Sequence, residues 1–260
     1  MKRSADDYDA DFDHTSFAVH DARAWAHRLR QELGAVPIAG EAIEEFRYLL
    51  LYAGTADEGS RIELLEPTGA GFLTRFLRNR GEGPHHITFS VTDLQAAVRA
   101  VRELGLTVVG ENYAHAAWQE AFIAPDGLHA TVIQLAHSDR DYPTPRELLN
   151  VTERRPAAMP SVIGARDPDW WKGLWETEPQ QQRALGATRL GSSNLDASRQ
   201  LFEGVLCGDV QEVEGGLLFV WPSGRVHVQH SERPGVIGMN VLDEAATDIV
   251  LGSSRISARL

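Results

Sequence analysis

Residues 14–21 read His-Thr-Ser-Phe-Ala-Val-His-Asp, and residues 86–93 read His-Ile-Thr-Phe-Ser-Val-Thr-Asp. Each stretch opens on a histidine, carries a phenylalanine and a valine at its fourth and sixth positions, and ends on an aspartate. Each is followed by an apolar-periodic segment that closes on the same tripeptide, Glu32-Leu33-Gly34 and Glu103-Leu104-Gly105. Repetition of this kind marks a fold assembled from equivalent units. In a strand, alternate side chains share a face. Phe17 and Val19 therefore share one face of the first repeat, and His14 and Ser16 the other. The histidine occupies the same place in both copies, so two units are expected to build one site.

Working outward, the first copy predicts a strand near 14–19 and a helix from about Asp21, a natural N-cap, to Leu33, with Gly34 as its stop. Further strands are expected over 46–53 and 61–65, separated by the turn-rich segment 54–60. A short helix over 72–79 joins the copies. The second copy predicts a strand over 86–91, a helix over about 93–104, and strands near 107–109, 121–124 and 129–135. The pattern is βαβββ, twice. From Ala187 a weaker third copy is visible: a strand to Ser193, a helix over 195–206, and strands near 210–213, 217–221 and 225–230. Pro234 to Val241 starts a fourth copy that the end of the chain at Leu260 cuts short. The fold class expected is α+β: paired βαβββ modules forming a cup-shaped mixed sheet, with a degenerate second pair.

The organisation expected is a flexible, acidic tail over 1–12, a unit over 13–137 with two modules and the site, a linker with short helices over 138–183, and a truncated related unit over 184–260. The linker contains Trp170, Trp171 and Trp175, which either pack it against a neighbouring unit or form a lid over a pocket. Net charge is −12, from 25 basic and 37 acidic residues, which argues against nucleic acid or an anionic membrane as partner. No apolar run approaches the roughly 20 residues needed to span a bilayer, and the polar N-terminus does not resemble a secretory signal. The single cysteine, Cys207, excludes an intrachain disulfide and a multi-cysteine metal site. A cytoplasmic protein with a small-molecule substrate is expected, as a monomer or homodimer.

Two further polar residues interrupt apolar strands at matching points of the copies: Glu63 in Ile62-Glu63-Leu64-Leu65 and Gln134 in Val132-Ile133-Gln134-Leu135. A polar side chain on a buried strand needs a partner. Two imidazoles, a carboxylate and an amide oxygen make a suitable donor set for one divalent ion, and nitrogen and oxygen ligands without thiolate suit Zn, Co, Ni, Mn or Fe.

The stretches Ile62-Glu63-Leu64-Leu65-Glu66-Pro67, Arg80-Gly81-Glu82-Gly83-Pro84-His85-His86-Ile87-Thr88-Phe89 and Ala124-Pro125-Asp126-Gly127, with Val132 to Leu135, resemble the vicinal oxygen chelate superfamily. This is the group of glyoxalases, bleomycin resistance proteins and extradiol dioxygenases, and the likeness is greatest to methylmalonyl-CoA epimerase and glyoxalase I. The resemblance implies modules forming a cup around a metal that chelates two neighbouring substrate oxygens. Carried over by position, the ligands are His14, Glu63, His86 and Gln134. His85 is read as preceding the strand. The family's epimerases and glyoxalases usually have a glutamate at the fourth position, where it often moves a proton. Gln134 cannot do so, which leaves Glu63 as the ligand able to act as catalytic base. Glu44 and Glu45 lie near the place of a second catalytic acid, and read on their own as a solvated acidic turn.

The function expected is metal-dependent proton transfer next to a chelated carbonyl, as in an epimerase, isomerase or glyoxalase-like lyase. The alternatives are an Fe(II) dioxygenase of the extradiol type, using His14, His86 and Glu63, and a non-catalytic binding or antibiotic-resistance protein. In the second half, Arg189 is aligned with His14, Val236 with His86 and His227 with Glu63, with His227 read as structural or at the surface. His20, His27, His115, His129 and His137 read as bystanders, His129 being the nearest to a pocket role. Arg75, Arg78 and Arg80 are either contacts for a CoA thioester or a solvated helix face.

Overall fold

Helix capping sets the rhythm of the chain. In the computed structural model, which describes residues 8–140, 147, 149, 173–243 and 248–258, three helices start on an Asx residue placed just after a strand. The side chains of Asp21, Asp93 and Asn194 accept from the backbone N–H of Ala24, Ala96 and Ala197 at 2.8, 2.9 and 3.1 Å. Such caps satisfy donors that a helix start otherwise leaves open. Gly34 closes the first helix at φ +69°, a backbone conformation natural to glycine.

The first half runs β1 (Ala10–Ala18), α1 (Ala22–Leu33), β2 (Val36–Ala42), β3 (Phe46–Gly54), β4 (Gly59–Pro67), α2 (Phe72–Arg80), β5 (Gly83–Val91), α3 (Leu94–Glu103), β6 (Val108–Asn112), β7 (Gln119–Ile123) and β8 (Val132–His137). Its strands form one eight-stranded sheet in the order β2-β3-β4-β1-β5-β8-β7-β6. The two βαβββ modules thus meet at the antiparallel β1–β5 pair. The second half runs β9 (Leu185–Ser192), α4 (Leu195–Arg199) continuing as a π-helical stretch over Gln200–Val205, β10 (Asp209–Val213), β11 (Gly216–Trp221), β12 (Gly224–His230), β13 (Gly235–Val241), β14 (Ile249–Leu251) and β15 (Ser254–Ser257). Its sheet has the order β10-β11-β12-β9-β13-β15-β14, the same plan with the last module shortened. Paired βαβββ modules of an α+β fold, the second pair reduced, are what the repeats implied.

Several boundaries differ from expectation. Residues 10–12, read as tail, belong to β1, and Phe12 is fully buried. Strand β2 escaped the sequence reading because Pro37 and Gly40 mimic a loop. It lies at the sheet edge, where a proline costs no ladder bond. The strand expected from His129 starts at Val132, because residues 127–129 turn and Ala130 takes φ +49°. The fourth copy continues past Val241 with β14 and β15, and remains one strand short of its counterpart. Trp170 and Trp171, and the side chain of Trp175, lie outside the described residues. No helix among the described residues is long and apolar enough to cross a membrane.

Both sheets bury one face in shared cores. One core joins Ile87, Phe89, Val98 and Leu135 to Leu190, Phe202, Val226 and Val228 of the second half. The other joins Phe17, Leu29, Ile62 and Leu64 to Met239, Val241 and Ile256. Within the first core, Phe12 meets Phe89 edge-on at 5.4 Å and Trp221 at 6.2 Å between ring centroids. Where the sheets meet, the hydroxyls of Thr15 and Thr188 lie 2.6 Å apart, both residues fully buried. Removing one hydroxyl strands the other. Thr15→Val and Thr188→Val should therefore each lower unfolding free energy by about 1–3 kcal/mol, and the double variant by less than the sum. A denaturant double-mutant cycle measures this, and strict additivity would contradict it.

Candidate metal centre

Two β-bulges aim the polar side chains. Between β1 and β5, Phe12 pairs with Phe89 and His14 with Thr88, so Asp13 is an extra residue. Further along, Ser16 pairs with His86 and Phe17 with Pro84, so His85 is extra on the other strand. A bulge breaks strict alternation and re-aims a side chain. Here both Asp13 and His14, and both His85 and His86, line one cavity. The register supplies the rest. Ser16 lies opposite Glu63 on β4 and His86 on β5, while Thr88 lies opposite His14 on β1 and Gln134 on β8. The apolar neighbours Phe17, Ile62, Leu64, Ile87 and Ile133 turn to the cores.

Nε2 of His14 and Nε2 of His86 approach the same oxygen, Oε2 of Glu63, at 3.4 and 3.8 Å. All three residues are buried, and one ligand atom from each lies within 4.8 Å of the others. Ligands bound at about 2.0–2.2 Å to one divalent ion stand roughly 3–4 Å apart, so the spacing fits. Nε2 of His14 is also buried without a hydrogen-bond partner, an idle donor atom facing a carboxylate. The residues present therefore fit a divalent ion.

Electrostatics follow from burial of these groups. Burial disfavours charge on His14, but the Glu63 carboxylate and the hydrogen bond from Nδ1 to Asp13 (2.9 Å) outweigh it and raise its pKa to about 9. Burial would raise Glu63, yet charged His14 above all, with His86 and the 2.6 Å hydrogen bond donated by Ser16, holds it well below the usual carboxylate range. Asp13 is held low in the same way, burial being overcome by His14 and Arg61. His86 is pushed down to about 3 by burial and then by His85, and His85 to about 4 by burial. One imidazolium and one neutral imidazole thus flank a fully ionised carboxylate.

Gln134 joins the cluster with its amide oxygen 3.1 Å from Nε2 of His86, accepting also from the Thr88 hydroxyl at 2.8 Å. Its amide nitrogen donates to Oε2 of Glu120 at 2.8 Å, and the Trp118 indole donates to the same oxygen at 3.1 Å. The four residues named from the sequence are therefore brought together. His85 does not precede the strand: it lies within β5, with Nδ1 2.8 Å from Nδ1 of His86, and rests on Phe72 and Phe76 of α2. The cavity measures about 670 Å³ and is otherwise largely apolar, with Ile38, Leu50, Phe72 and Phe122 among its walls.

Glu41 and Glu120 also line it, whereas Glu44 and Glu45 do not. Neither cavity acid stood out in the sequence, because the strand order that carries β2 and β7 to opposite sides of the cup is not written locally. His129 is not a wall of this cavity. It is buried against α4, with Nε2 3.0 Å from Oγ of Ser198.

The second half needs a corrected alignment. Arg189 is opposite His227 and Gly238, as Ser16 is opposite Glu63 and His86. Arg189 thus stands at the place of Ser16 and not of His14, and Gly238, not Val236, at that of His86. His227 does match Glu63, but it is buried and not at the surface. A sequence alignment without the bulges slips the register.

Known proteins resemble this chain in sequence and in fold. The glyoxalase/bleomycin resistance protein/dioxygenase superfamily matches over residues 13–122. An ethylmalonyl-CoA/methylmalonyl-CoA epimerase of Cereibacter sphaeroides is 33% identical over 102 residues, 37% of this chain and 72% of that protein. A Streptomyces coelicolor methylmalonyl-CoA epimerase variant in complex with 2-nitronate-propionyl-CoA is 28% identical over 50% of this chain and 98% of its own, with a TM-score of 0.44. A hypothetical protein from Staphylococcus aureus shares the fold over 96% of this chain and 99% of its own, at 14% identity and a TM-score of 0.56. With its repeated βαβββ modules and its matched first half, the chain belongs to the glyoxalase/bleomycin resistance protein/dioxygenase superfamily.

Proposed function

We propose that this protein is a divalent-metal-dependent epimerase or isomerase that moves a proton on the carbon beside a chelated carbonyl. The observation that carries the reading is the pair of carboxylates, Glu41 and Glu120, lining one cavity with the His14, Glu63 and His86 cluster. His14, Glu63 and His86 would hold the ion, with Gln134 as fourth donor. When bound, such an ion supplies Lewis acidity to two neighbouring substrate oxygens.

The protein's own groups do the rest. The sequence assigned the base to Glu63, but a carboxylate held so far below its usual range, and itself a donor to the proposed ion, is a weak base. We move the role to Glu120 and Glu41. Glu120 is on β7 and Glu41 on β2, on opposite sides of the cup. One takes the proton from one face of the substrate carbon, and the other returns a proton to the opposite face. The two donors on Oε2 of Glu120 orient that carboxylate. Gln134 thus relinquishes the chemistry usual for its position and positions the group that performs it. The mostly apolar walls exclude water from the carbanion-like transition state. The epimerase relative favours an acyl-CoA thioester as substrate, and the exposed Arg75, Arg78 and Arg80 of α2 are available to its phosphates.

Purified protein should carry about one divalent ion per chain, and His86→Ala should lose it, as read by elemental analysis. Ion uptake should also expel the His14 proton. Because that group titrates near pH 9 and His86 is already neutral at pH 7, about one proton per ion should be released at pH 7. Apparent affinity should rise about tenfold per pH unit and level off above pH 9. Calorimetry in buffers of different ionisation enthalpy reads both. Glu120→Gln and Glu41→Gln should each slow epimerisation of an acyl-CoA substrate by about 10²–10⁴-fold. Each should still exchange solvent deuterium into one epimer only. Unimpaired epimerisation in either variant would remove that residue from the mechanism.

The two-histidine, one-carboxylate triad also fits an Fe(II) oxygenase. Oxygen uptake with a catechol, by iron-loaded protein lacking deuterium exchange, would favour that reading instead.

A further inference from the structure

The donor cluster occupies the middle of its sheet, and the rows of side chains that carry it end in apolar residues. One row crosses the strands as Ala39, Leu50, Glu63, Ser16, His86 and Val132. The next crosses as His14, Thr88, Gln134, Phe122 and Val109. Ala39, Leu50, Val132, Phe122 and Val109 all line the same cavity as the donors. All five stay partly open, and Val109 is 47% exposed. Apolar surface left open in a concave site is a cost that an apolar occupant removes.

The wall beside Glu63 is the more deliberately built. Leu50 is directly opposite Glu63, and Ala39 directly opposite Leu50. The register of β2 slips between Pro37 and Ala39, so Ile38 and Ala39, consecutive in the chain, both line the cavity. A bulge of this kind re-aims a side chain. The small Ala39 leaves space between Ile38 and Leu50, next to the row that holds the donors.

Volume points the same way. The cavity measures about 670 Å³. At the ~30 Å³ that a water occupies, it holds roughly twenty non-hydrogen atoms, which is the range of a drug-sized ligand. A malonyl thioester head with a methyl substituent needs less than half of that. A pantetheine arm would fill the remainder, but its amides would find no partners along Ile38, Ala39 and Leu50.

We propose, resting on the epimerase or isomerase reading above, that the acyl substrate carries a large hydrocarbon substituent beside its chelated oxygens, and that Ile38, Ala39 and Leu50 receive it. The epimerase relative is named for ethyl and methyl groups; this cavity takes a bulkier one.

Calorimetric titration of the protein with its divalent ion bound tests this, with methyl-, butyl- and phenylmalonate as probes that share one chelating head. Affinity should rise about two- to fourfold per added methylene, so butylmalonate should bind at least about tenfold more tightly than methylmalonate, and phenylmalonate likewise. Ala39→Phe and Leu50→Trp should each cancel that gain by filling the space. If either variant fails to fold, the series on the unaltered protein decides. Equal affinities across the series, no saturable binding by any member, or a gain that survives both substitutions would overturn the proposal. Exchange of solvent deuterium into the methylmalonyl and butylmalonyl thioesters separates this inference from the reading it rests on. Exchange with equal affinities sinks the substituent and leaves the epimerase. A gain with chain length but no exchange into either thioester supports the hydrocarbon site and removes the epimerase.

Discussion

A carboxylate taken out of water must find positive charge or hydrogen-bond donors, and Glu63 imposes that demand on the centre of the first sheet. The response is an alternating chain of charge across neighbouring strands. Glu63 faces His14, His14 bonds Asp13, and Arg61 stands 3.7 Å from Asp13. Two consecutive residues of one strand can both join such a chain only if alternation fails between them, which is the work of the bulge at Asp13. Without an ion, a proton on His14 supplies the missing charge. The proposed ion would take the place of that proton between the same side chains. Gln134 is neutral, so it adds no further negative charge to the cluster.

Local signals made the modules legible. Each module of the first half, and the first of the second, writes its strand, Asx cap and helix within a short stretch, because caps and periodicity depend only on near neighbours. The four residues that meet in the cluster were legible for the same reason: His14 and His86 open the repeated stretches, and Glu63 and Gln134 break apolar runs at equivalent points. What pairing decides was not. The bulges at Asp13 and His85, the edge strand with Pro37, and the arrival of Glu41 and Glu120 at the cup all depend on which strands lie side by side. The slipped alignment of Arg189 has the same origin.

Burial explains why His85 and His86, adjacent and identical, differ in role. His86 faces Ser16, Glu63 and Gln134. His85 is the bulged residue, held between α2 aromatics and the second ring nitrogen of His86. A ligating imidazole is oriented by what its other nitrogen meets, so the neighbour governs which nitrogen of His86 is available.

The interleaved cores have an evolutionary consequence. Each of the two largest cores joins residues of both halves, so neither half keeps a complete interior when separated from the other. The two sheets behave as a dimer whose subunits are tied into one polypeptide. Tethering frees one subunit from the chemistry while binding it to the packing. Among the described residues, the face of the second sheet turned away from the cores carries no cluster like that of His14, Glu63 and His86, so packing alone does not fix its side chains. Mutations on its inward face are judged by the stability of the partner sheet. Leu190, Val226 and Val228 are held to apolar side chains by that shared packing.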